Sequence, residues 1–199
     1  MCLLPVMRGQ AQQAAPIDVT NSAVAAVKAL GEQVVLGKHK VAFERMYDEW
    51  KVRAAKQAGG MEKLQAQLDA IPGQMAKQGV QLISFKAQGE PTSYEVQMGK
   101  ETVTEDGKLV EKAIYKKWLV LVPTVTEYRI AAPAEKGTVP KFAVIQSTGF
   151  QVAISDKDKN DWSFIDGASL TVAELRRVFN TLPENTQLPP IKRKQVEGK

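Results

Sequence analysis

The sequence predicts an α+β domain: N-terminal helices packed on a curved, mostly antiparallel sheet of about six strands, with a short C-terminal helix. Three observations predict it. Apolar residues recur every three or four positions up to Gly79 and mostly every two after it, so helices come first and strands follow. The 199 residues are enough for one domain and short for two. Composition is globular, with 44% apolar and 25% charged residues, which excludes a disordered, collagenous or disulfide-rich chain.

Residues 1–20 read as a flexible leader, 21–188 as a single domain and 189–199 as a Pro-rich basic tail. In the leader, Cys2–Met7 is apolar but shorter than a signal-peptide core, and no basic stretch precedes it. Gly9-Gln10-Ala11 nevertheless has the small-x-small form of a cleavage site, although Arg8 is misplaced for one. Two readings stay open: a signal peptide cut short by a misplaced start, which would mean export, or a disordered cytoplasmic terminus.

The first helix is expected over Ala23–Leu36, capped by Asn21 or Ser22. Lys38–Gln57 reads as one further helix with Phe43, Met46, Tyr47, Trp50 and Ala54 on a single stripe, stopped by Gly59-Gly60. A third runs from Met61 to about Gln78, with Leu64, Leu68, Ile71 and Met75 facing a sheet and Pro72-Gly73 kinking or splitting it. Gly79 ends it. The first strand begins with Val80, Leu82 and Phe85. After a turn at Gly89–Pro91, alternation at Tyr94, Val96 and Met98 marks a half-buried strand, and Asp106-Gly107 marks a hairpin. Leu109–Val122 is a long strand whose Trp118–Val122 run is apolar on both faces and therefore central. Pro123 should break or bend it before a strand at Val125–Ile130. Ala132–Pro140 is a loop. Phe142–Gln146 and Phe150–Ile154 are one strand bulged at Gly149, or two. A polar turn at Asp156–Asp161 leads to a last strand at Trp162, Phe164 and Ile165. Thr171 and Glu174 then form a capping box for a final helix whose apolar face is Leu175, Val178, Phe179 and Leu182. Leu188-Pro189-Pro190 is extended, and the tail after it is disordered.

The helices-first order and the closing hairpin, an apolar strand, an Asp/Lys/Asn turn and Trp162-Ser163-Phe164-Ile165-Asp166, resemble the nuclear transport factor 2-like (cystatin-like α+β cone) superfamily over about residues 22–166. The resemblance implies a sheet curled around N-terminal helices into a cone. It does not imply one function, because that superfamily hosts enzymes, small-molecule binders, secretion components and dimerisation modules. The split helices of Lys38–Gln78 and the added helix with its Pro-rich tail depart from the common pattern.

Charge and motifs exclude several functions. Net charge is +5, but Lys192, Arg193, Lys194 and Lys199 against Glu197 supply +3 of it, leaving 23 basic and 21 acidic residues in 1–191. A body this near neutral does not read as a nucleic-acid binder. The tail reads as a solubilising end rather than a membrane-surface anchor. There is no phosphate-binding glycine loop and no dinucleotide pattern, so no cofactor is expected. Cys2 and His39 are the only Cys and His. Asp156, Asp158 and Asn160 open like a calcium loop, but Asp161 stands where glycine is needed and Gly167 where glutamate is needed, so no metal site is expected.

Catalytic schemes fare little better. His39, flanked by Lys38 and Lys40, reads as an exposed helix residue. Isomerase-like members of the superfamily use a carboxylate and a tyrosine in an apolar cone. Tyr47, Tyr94, Tyr115 and Tyr128 are available, but Asp48 and Glu95 fall on the polar sides of their periods. No catalytic residue is therefore assigned. Aromatic residues with polar tips, Tyr47, Trp50, Tyr94 and Trp118, are the expected ligand-binding set. The expected function is a non-catalytic module that binds a partner protein or a small apolar molecule; homodimerisation through the open sheet is what the superfamily resemblance implies. The alternative is a small metal-free isomerase, dehydratase or cyclase with an apolar pocket.

Overall fold

The computed structural model describes residues 13–105, 107–131 and 142–196. Among the described residues four helices come first: α1 (Ile17–Val35), α2 (Lys40–Glu44), α3 (Asp48–Ala58) and α4 (Met61–Lys77). Strands β1 (Val80–Ala87), β2 (Thr92–Glu105), β3 (Lys108–Ala131), β4 (Phe142–Asp156) and β5 (Ser163–Asp166) follow. Helix α5 (Val172–Val178) and strand β6 (Arg193–Val196) complete an α+β fold on a six-stranded, open antiparallel sheet.

Two long strands, β3 and β4, pair without a register break from Lys117↔Asp156 to Ala131↔Phe142. Each carries two shorter strands end to end on its outer edge. β1 lies beside residues 124–130 of β3 and β2 beside residues 108–121. On the far side, β5 lies beside residues 151–154 of β4 and β6 beside residues 144–147. β4 therefore does not bulge at Gly149. Nor does Pro123 end β3, which runs on for 24 residues. The reason lies in the end-to-end arrangement. The Pro123 carbonyl accepts from the Gln88 N–H, so the side of Pro123 that lacks a donor faces the β1–β2 turn and not β4. No ladder bond to β4 is lost.

Both faces of the sheet are covered, as the Trp118–Val122 run requires. On one face Val19, Ala23, Val27 and Leu30 of α1 pack on Trp118, Val120, Val122, Ala153, Trp162 and Phe164. On the other, Leu170, Leu175, Phe179 and Leu182 cover Val96, Leu119, Leu121, Val152 and Ile154. The capping box forms in full, with Thr171 Oγ1 accepting from the Glu174 N–H and the Glu174 carboxylate accepting from the Thr171 N–H.

Several local expectations are corrected. Helix α1 starts at Ile17, inside the stretch assigned to the leader. Pro16 precedes it with φ already near helical, and no side chain caps it. Ser22 lies within the helix, where its Oγ accepts from the Trp162 indole at 3.0 Å. The single helix expected over Lys38–Gln57 is broken at Arg45–Tyr47. There the backbone pairs with β5: the Phe164 N–H donates to Arg45 O at 2.8 Å, and the Tyr47 N–H donates to Phe164 O at 2.9 Å. Sheet bonds replace helical ones, and the elbow carries Tyr47 to the opposite face. Helix α4 runs through Pro72 as one element. In β2, Gln97 adopts φ 60°, which interrupts the pleat. Val96 is consequently buried while Met98 is 56% exposed, on the arm that β2 and β3 extend past the end of β4. Within the tail, Arg193–Val196 joins the sheet rather than remaining disordered. Gly107 has φ 75° in the expected β2–β3 hairpin; Asp106, the Ala132–Pro140 loop, the Cys2–Met7 leader and Lys199 lie outside the described residues.

Candidate functional site

Beyond Val122 the α1-facing side of β3 changes chemistry. Trp118, Val120 and Val122 are core residues, and the same side continues with Thr124, Thr126 and Tyr128. Helices α2 to α4 stand over this polar stretch without filling the space beneath. A cleft of about 440 Å³ results. Its roof is apolar, built from Val34, Phe43, Met46, Trp50, Leu68 and Met75. Its floor is polar: Thr124, Thr126 and Tyr128 of β3, with Ser147 and Gln151 of β4 around a bare Gly149.

Local sequence explains this shape. Leu82 and Phe85 both line the cleft although three residues apart, a spacing that would put them on opposite sides of a regular strand. A register shift between Leu82 and Ser84 restores them to one side. The α4 stripe does not pack tightly on the sheet as expected. Only Leu64 is buried, and Leu68, Ile71 and Met75 face the cleft. At the rim, Asp166 ends β5 while Ile191 and Arg193 come from the tail.

Charge in the cleft is sparse. Asp166 is exposed to solvent at the rim, with protein packed around the rest of its carboxyl. Burial raises its carboxyl above the usual range, against donation from the N–H groups of Ala168 and Gly167 and from Gln151 Nε2, the last at 3.1 Å. The Tyr128 phenol is also raised, first by burial and then by the Asp166 charge, while the Arg193 charge acts in the opposite direction. Among the described residues, the Arg193 side chain makes no hydrogen bond or ion pair.

Of the four expected ligand-binding residues, Tyr47, Trp50 and Tyr94 meet at one core, and Trp118 lies apart on the α1 side of the sheet. Trp50 also lines the cleft. Tyr47 is buried on the other face of the sheet, its ring 5.3 Å from that of Phe179 and its hydroxyl donating to Glu49. Tyr94 packs against the edge of that same core. Trp118 is buried under α1 with the Lys157 ammonium 4.4 Å from its ring centre. His39 is half-buried in the cleft wall, a correction to the exposed position expected for it. Glu95 is a second correction. It is buried at 7%, pairs with Lys157 and accepts from the Gln13 N–H, because the side of β2 read as polar faces the N-terminal segment. Asp48 is exposed. Asp156, the first acid of the calcium-like turn, is held by Lys117 and Lys159, and no group of three or more His, Cys, Asp or Glu side chains converges among the described residues.

Sequence reading missed Asp166, Gln151, Arg193 and the two threonines. One signal was legible: the alternate positions of a central strand change from Trp-Val-Val to Thr-Thr-Tyr after Pro123. No family model, curated protein or solved structure matches this chain.

Proposed function

We propose that the protein is a non-catalytic binding module whose cleft takes a small, largely apolar molecule. The cleft itself carries the reading. Its volume falls within the range of small-molecule sites, roughly 300–1,000 Å³, and it joins an apolar roof to a few convergent polar groups. The resemblance to the nuclear transport factor 2-like superfamily is kept as part of this proposal, on the helices-first order and the closing Trp162–Asp166 hairpin of the sequence. The test is titration with a neutral environment-sensitive dye such as N-phenyl-1-naphthylamine. Saturable binding of one dye per chain is expected, abolished by Ala42→Trp, since Ala42 of α2 also lines the cleft, and unchanged by Met98→Ser on the exposed arm. Binding that survives Ala42→Trp in a folded protein would place it elsewhere.

A second reading, a metal-free isomerase, dehydratase or cyclase, is favoured by one observation: Asp166, a carboxyl raised by burial, lies in the same cleft as Tyr128. That reading expects turnover of a ligand found by the first test, lost in Asp166→Asn while dye binding persists.

A further inference from the structure

We infer that the cleft takes a single-chain amphiphile with a carboxylate head, its chain under the helices and its head at Arg193. This rests on the cleft reading above and assigns the chemical class of the ligand.

Strand register supplies the geometry. Arg193 pairs with Ser147, and Ser147 with Thr126, so the three form one row across the floor, on the cleft side. Asp166 pairs with Gln151 in a second row. Ser147 and Gln151 are four positions apart on β4, about 13 Å. Gly149 lies between them, with no side chain on the floor.

The two charges are not equivalent. Asp166 already accepts from Gln151 Nε2 and from backbone N–H groups, so its oxygens are largely occupied. The Arg193 guanidinium, with five donors in a planar fork, has no side-chain partner among the described residues. A carboxylate matches that fork with two parallel hydrogen bonds, whereas a hydroxyl or ammonium head does not. Asp166 at the far end of the floor repels an anion and so orients the head toward Arg193. The roof, built from Val34, Phe43, Met46, Trp50, Leu68 and Met75, offers a bound molecule no charge and suits an alkyl chain.

Isothermal titration below micelle-forming concentrations tests this, using dodecanoate, its methyl ester, dodecanol and dodecyltrimethylammonium. Dodecanoate is expected to bind at least about tenfold tighter than the ester or the alcohol. Arg193→Gln should remove that preference and Arg193→Lys restore part of it. Equal or tighter binding of the ester, alcohol or ammonium overturns the carboxylate assignment and leaves the cleft reading standing. Failure of all four to bind overturns both. The ester comparison uses the unaltered chain, so it decides the matter even if Arg193→Gln does not fold.

Discussion

At the residue scale, charge placement sets the acid response. Asp156 receives Lys117 Nζ at 2.5 Å and Lys159 Nζ at 2.9 Å, and these hydrogen bonds hold its carboxyl down to about 2 from an ordinary 3.8. A carboxylate depressed in the folded state stabilises the fold above its unfolded pKa, and the gain is lost as pH falls through the folded value. The window is therefore between about 4 and about 2. The side chain is 38% exposed, so screening leaves no more than about 1 kcal/mol. Urea melts should show Asp156→Asn less stable than the parent by about that amount at pH 6, with the difference gone near pH 2. Asp166 has the opposite sign. Its raised carboxyl favours the protonated form in the fold, so its contribution falls as pH rises through the interval above its ordinary value.

At the scale of elements, α1 contains a glycine whose usual rule is inverted. Gly31 sits inside the helix, where alanine ordinarily adds about 1 kcal/mol. Here a Cβ would overlap the Phe85 ring, which rests directly on the helix backbone. Gly31→Ala is expected to destabilise by about 1–3 kcal/mol, and Phe85→Leu in the same chain to recover part of the loss. Thermal melts of the two single variants and the double variant check this. The same element shows how far sequence reading reached. Its apolar face, Val27 and Leu30 included, follows from spacing alone, because any helix with that spacing buries that side. Its start does not follow, since Asn21 and Ser22 look like caps until the Trp162 indole, 140 positions on, is seen to use Ser22. The break at Arg45–Tyr47 fails for the same reason: β5, far along the chain, offers the backbone better partners than its own helix. The fold class was legible because periodicity is local. The cleft was legible only at Thr124, Thr126 and Tyr128, because a cleft is where separate elements fail to touch, and no single element records that.

At the scale of the whole molecule, the tail belongs to the sheet and to the cleft. Thr148 N–H donates to Lys192 O at 2.8 Å, and Lys192 N–H donates to Thr148 Oγ1 at 2.9 Å, just before β6. Truncation after Leu188 should lower the denaturation midpoint, speed amide exchange at Thr148, and weaken dye binding by opening the rim that Ile191 and Arg193 form. Unchanged exchange at Thr148 would mean that β6 is not docked in solution. The paired outer strands have a mechanical consequence as well. β1 gives way to β2 beside Val122 and Pro123 of β3, and β5 gives way to β6 beside Thr148–Phe150 of β4. Those two breaks lie nearly opposite each other, because Pro123 pairs with Phe150. The sheet is four strands wide on either side of that line and two on it. It is a plate scored across its middle, with the dry core fastened to one half and the polar floor to the other. Fewer strands cross that line than lie on either side, so a tilt of the floor relative to the packing around Trp118 and Trp162 is expected to cost least there.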